Sequence, residues 1–100
     1  MEARLRCTLL PGQFSSELVA IVRSSSGREF SLFAQKPDLD YEELPDRDRP
    51  TDGWVKVQVL QCERDLCLVR LPQTTVENGQ YLTVPVSQLD RVPPELKARA

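Results

Sequence analysis

The chain has 100 residues, 40% apolar and 28% charged, with 13 basic against 15 acidic side chains and a formal net charge of −2. That is enough chain for one globular domain, and too balanced in charge and too apolar for a disordered polyelectrolyte. Histidine is absent, which removes the commonest general base and the commonest transition-metal ligand.

No stretch approaches the run of apolar residues that a membrane span needs. The opening "MEARLRCTLLPG" holds no signal-peptide core, since an acid at position 2 and Pro11-Gly12 interrupt it. Three cysteines are an odd number, too few for a secreted disulfide framework. A cytoplasmic protein with reduced thiols is therefore expected.

Taken in chain order, alternation with period two recurs almost everywhere, the mark of half-buried strands. In "ARLRCTLL", Leu5, Cys7 and Leu9 share one face, and Arg4, Arg6 and Thr8 the other. Pro11-Gly12 suits a turn. "ELVAIVR" (17–23) is a β-branched run, "SSSG" a tight-turn composition, and "REFSLFAQ" (28–35) puts Phe30, Leu32 and Ala34 on one side. These three pieces predict a hairpin.

From Lys36 to Asp52 the alternation stops. "KPDLDYEELPDRDRPTD" carries three prolines and seven acids and predicts one long acidic loop, 36–52. Pro45 and Pro50 deny it regular structure, while Leu39, Tyr41 and Leu44 are spaced to anchor it. We expect a docked first half, Pro37 to Leu44, and a mobile second half, Pro45 to Asp52.

Alternation resumes at Trp54, with Val55, Val57 and Val59 facing one way. "LCLVRL" (66–71) is the expected return strand, and Val57, Val59, Leu66 and Leu68 are the expected core of this hairpin. Asn78-Gly79 is a strong turn signal. "YLTVPV" (81–86) then places Leu82, Val84 and Val86 on one face, with Pro85 marking an edge or bend. "PPELKARA" (93–100) suits one helical turn. No internal repeat is evident in the string itself.

Many short strands predict an all-β single small domain, 1–92, of about six strands, built as a small barrel or a two-sheet sandwich. A Trp-led strand, a tight hairpin and then "NGQYLTVPVSQLDRV" resemble the closing half of a Src-homology-3-type barrel. The resemblance implies a short helical turn at "VPVSQL" leading to a last strand. It carries no binding residues with it, because the aromatic-rich proline-peptide signature is missing: Trp54 has no second Trp beside it. Barrels of this kind host many unrelated functions.

Three groups of residues are candidates for chemistry. If Leu60 and Leu66 flank the turn, Cys62 lies at the tip of a 61–65 loop and Cys67 opposite Val59. The two sulfurs then do not meet, Cys62 is the more reactive thiol, and Cys67, like Cys7, is a small hydrophobe. A thiol-dependent enzyme acting through Cys62 would lack a base, and three Cys without His cannot close a zinc site.

Charge partition says more. Residues 38–52 hold seven acids and two bases, a net of −5, whereas the remainder carries a net of +3. The acidic segment, with Leu39, Asp40, Tyr41, Glu42, Glu43, Asp46 and Asp48, is the expected partner surface. Its acids lack the spacing and the glycine of a calcium loop. The other candidate is a nucleic-acid face built from Arg4, Arg6, Arg23 and Arg28, though no aromatic stacking platform lies among these bases. The expectation is a non-catalytic protein-interaction or structural module without cofactor, metal or membrane contact. Its partner is expected to be another protein; nucleic-acid binding is the alternative.

Overall fold

The computed structural model describes residues 1–77 and 79–92. The expected tail turn at 93–100 and the Asn78 half of the Asn-Gly turn lie outside them. Strands β1 (Glu2–Pro11), β2 (Glu17–Arg23) and β3 (Glu29–Gln35) are followed by the two-residue β4 (Leu39–Asp40). Then come β5 (Thr51–Glu63), β6 (Leu66–Arg70), β7 (Tyr81–Pro85) and the two-residue β8 (Leu89–Asp90). They form one antiparallel sheet in the order β3-β2-β1-β5-β6-β7, with β4 added to β5 and β8 to β1. The chain is therefore an all-β small domain built on a single curled sheet. Among the described residues there is no α-helix, and none long and apolar enough to cross a membrane.

The residues that alternation grouped on one face in β1, β3, β5 and β7 turn inward for the most part, and in β2, where the run is apolar on both faces, the structure makes the choice. Leu5, Cys7 and Leu9 of β1, Leu18, Ala20 and Val22 of β2, and Leu32 and Ala34 of β3 are buried. Val55, Val57 and Val59 of β5 and Leu82 and Val84 of β7 meet them in one core. The β2–β3 turn needs Gly27, whose φ of 84° is open to glycine and costly for a side chain. Its N–H donates to the Ser24 carbonyl at 2.9 Å.

Curling brings the two ends of the sheet together. The Ser25 N–H donates to the Thr83 carbonyl at 2.8 Å, and the Val76 N–H to the Ser31 carbonyl at 2.7 Å. Both terminal strands, β3 and β7, thus have edge groups engaged by the other end of the chain, which blunts edge-to-edge pairing. The expected helical turn after β7 is a 3₁₀ turn, Val86–Gln88, leading into β8.

The structure shows a repeat that the string does not declare. Strand, strand, strand, 3₁₀ turn and two-residue strand occur once over residues 2–40 and again over 51–90. The short strands are exchanged: Leu39 pairs with Val55 and Asp40 with Trp54, as Leu89 pairs with Leu5 and Asp90 with Arg4. Corresponding positions lie 50 apart, as Leu39 to Leu89 and Leu5 to Val55 show. Because Leu5 also faces Val55 directly in the β1–β5 pair, an approximate two-fold axis passes between them. Each half ends on the other half's first strand. At this offset the sequence echo is short: Leu-Asp at 39–40 and 89–90, Leu-Val at 18–19 and 68–69, and scattered leucines.

Three expectations need correction. The 61–65 loop is instead a continuation of β5 to Glu63, with a two-residue turn at Arg64-Asp65 in which Arg64 takes φ 57°. A bulge between Val59 and Gln61 absorbs one residue. The bulge and the tight turn set Cys62 opposite Cys67, which are joined in a disulfide with Cα atoms 4.1 Å apart. Cys62 is buried, so it is neither a loop thiol nor the first to react. Second, the inward residues of β6 are Cys67 and Val69; Leu66 is exposed and Leu68 faces outward, half-buried. A run apolar on both faces cannot declare which face is inner. Third, the 36–52 segment is not one loop. A 3₁₀ turn (Lys36–Asp38) and β4 occupy its start, and β5 already begins at Thr51. Leu39 is buried and Tyr41 packs on the core, whereas Leu44 is exposed and anchors nothing.

Gly53 sits in β5 next to its pairing with β4 and against Leu9 of β1. A Cβ there would stand 2.6 Å from Leu9 Cδ1 and 3.1 Å from the Asp40 carbonyl oxygen. Leu9 is itself fully buried and has little room to yield. Gly53→Ala is expected to lower stability by about 1–3 kcal/mol, the usual cost of overpacking. Urea unfolding checks this, and an unchanged midpoint would mean that Leu9 and the Asp40 carbonyl do not crowd Gly53.

Candidate functional site

Around the two-fold axis the duplicated positions have diverged. Arg4 corresponds to Trp54, Tyr41 to Arg91, and Asp40 still matches Asp90. On the outer face of the β1–β5 pair, Arg6 lies directly across from Trp54 and Arg4 across from Lys56. A groove of about 520 Å³ opens here, lined by Arg4, Arg6, Asp40, Tyr41, Glu42, Asp52, Gly53, Trp54 and Arg91.

Arg4 organises its floor. The guanidinium lies over the Trp54 ring, 4.9 Å from the centroid. It donates from Nη1 to Asp40 Oδ2 at 3.4 Å and from Nη2 to Asp90 Oδ2. One side chain from β1 thus ties down both exchanged strands, β4 and β8, while stacked on the single tryptophan. Its Nε is buried and has no acceptor among the described residues. The Arg4 hydrogen bond and positive charge hold the Asp90 carboxyl below the usual carboxylate range, with the Arg91 backbone N–H adding to them against partial burial.

The sign of the pH effect follows. A depressed folded-state pKa contributes stability that is present above the ordinary carboxylate pKa, about 3.9, and is lost as pH falls through the folded value. Asp90→Asn is therefore expected to be slightly less stable than the parent at neutral pH, with the gap closing in acid. Thermal melts at pH 7 and pH 3 test this; a gap that stays constant would show that Arg4 does not favour the ionised form.

Arg6 is placed differently. Its guanidinium carbon stands 5.4 Å from the Trp54 centroid, the side chain is exposed, and among the described residues no carboxylate pairs with it.

The expected partner surface is divided by the fold. Leu39 is in the core, Asp40 is held by Arg4, and Tyr41 and Glu42 line the groove. Glu43 pairs with Arg49 at 3.0 Å, and Asp46 accepts from the Asp48 N–H within a turn. The expected arginine face is divided too. Arg4 and Arg6 share the groove, whereas Arg23 pairs with Glu29 at 2.6 Å and Arg28 lies over Phe30. Sequence reading left out Trp54 as a site residue, and Asp52, Asp90 and Arg91 with it. The available signal was the pairing of Arg4 and Arg6 on an outward strand face with a lone tryptophan at the head of another strand.

The cysteines offer no free nucleophile among these groups. Cys62 and Cys67 are bonded to each other, and burial, with Asp52 adding to it, pushes the Cys7 thiol up to about 12. No group of three or more acidic or cysteine side chains that could hold a metal ion occurs among the described residues. No protein-family profile, curated protein or solved structure matches the chain.

Proposed function

We propose that the chain is a non-catalytic protein-interaction module whose contact surface is the groove over Trp54. The observation that carries this reading is the meeting of both expected surfaces in one place. Tyr41 and Glu42 from the acidic segment and Arg4 and Arg6 from β1 line the same groove around the only tryptophan. Aromatic and arginine side chains are the residues that most often dominate protein contacts. The finer likeness to a Src-homology-3-type barrel, supported by the strand, 3₁₀ turn and short strand at 81–90, belongs to this proposal as well.

Nucleic-acid binding is less favoured. Two of its four arginines, Arg4 and Arg23, are paired with carboxylates, and Arg28 lies on Phe30 rather than beside the groove. A thiol-dependent reaction through Cys62 would first require its disulfide to open.

The test is selection from a random displayed-peptide library against the whole chain, with Trp54→Ala and Tyr41→Ala as controls whose folding is checked by NMR. Peptides that bind the parent and alter Trp54 fluorescence, but bind either folded control at least about tenfold more weakly, a loss of about 1.4 kcal/mol, are expected. Peptides that bind parent and controls alike, or no enrichment at all, would overturn the reading.

A further inference from the structure

Within that reading, the groove's charges say what kind of residue it takes. Three guanidiniums line it, and among the described residues only Arg4 forms ion pairs, with Asp40 and Asp90. Two of the three, Arg4 and Arg6, already lie over Trp54. The electrostatic attraction that an aromatic face offers to a cation is thus in use, and a lysine or arginine arriving there would meet like charge. Arg6 offers the reverse. Its guanidinium lies over the ring, the side chain is exposed, and among the described residues no carboxylate pairs with it. A guanidinium held over an aromatic face can still present two parallel N–H donors to a carboxylate.

Glu42 and Asp52 line the same groove and are exposed, and the 38–52 segment has a net charge of −5. These acids oppose an extended run of negative charge, so a nucleic acid or polyacidic tract is disfavoured where one carboxylate is not.

We propose that the groove recognises a single Asp or Glu in an extended peptide, its carboxylate held by Arg6 over Trp54, with Arg91 lining the same groove. The inference rests on the groove being a peptide site.

The experiment takes peptides selected as above, made with capped termini, and measures their affinity for the parent and for Arg6→Gln by calorimetry. Enriched sequences are expected to share one acidic position. Changing that residue to its amide should weaken binding to the parent about tenfold or more, as for a charge-assisted hydrogen bond. The same change should matter little on Arg6→Gln, and Arg91→Gln should show a partial loss of the same kind. Enriched peptides that are basic or show no shared acid, or an amide change that costs as much on Arg6→Gln as on the parent, would overturn the inference and leave the Trp54 groove standing as a peptide site. Failure of any peptide to depend on Trp54 or Tyr41 would remove both.

Discussion

Leu5→Ala is expected to cost about 3–4 kcal/mol, within the range found for leucines truncated in well-packed cores. Leu5 is fully buried and lies at the approximate two-fold axis, facing Val55 on one side and Leu89 on the other. Truncation there leaves a void that three strands border, and none can collapse into it without disturbing its own pairing. Other leucines provide the contrast. Leu60→Ala, on the exposed outer face at the bulge, should change stability by less than about 0.5 kcal/mol, as surface substitutions usually do. Urea unfolding of the two variants beside the parent is sufficient. Equal losses would show that Leu5 is not at the centre of the core and that the exchange of short strands is misplaced.

Reducing the Cys62–Cys67 bond should destabilise the domain by about 2 kcal/mol, the chain-entropy value for so short a closed loop. The bond closes the turn end of the β5–β6 hairpin, one pair from Arg64-Asp65, and both sulfurs belong to buried residues. Unfolding with and without a phosphine reductant measures the effect. A double Cys62→Ala, Cys67→Ala variant should show no response to reductant. Alkylation of the unfolded chain should add one label before reduction, at Cys7, and three after. Three labels before reduction would show that the bond is not formed. The same mass measurement bears on the compartment, because a formed disulfide and a reducing cytoplasm make opposite demands.

Period-two alternation determined a good deal of this molecule by itself. Whether a side chain in a strand points in or out is a local property, because successive Cβ atoms alternate. That is why Leu5, Cys7 and Leu9, Val55, Val57 and Val59, and Leu82 and Val84 could each be grouped on one face from the string, and why the all-β class was legible. β6 escaped the same logic, since Leu66, Leu68 and Val69 are apolar on both faces. Register, by contrast, is a property of two strands at once. The extra residue between Val59 and Gln61 makes sense only against β6, and together with the two-residue turn at Arg64-Asp65 it moves Cys67 from a place opposite Val59 to a bond with Cys62. The groove required still more. Arg4 is 36 residues from Asp40 and 86 from Asp90, and all three meet because each half of the chain lends its last short strand to the other. Pairing at such separation is decided by the packing of the whole sheet. The sequence alone therefore told which faces are apolar, and only the tertiary structure decided which charges and which ring share an outer face.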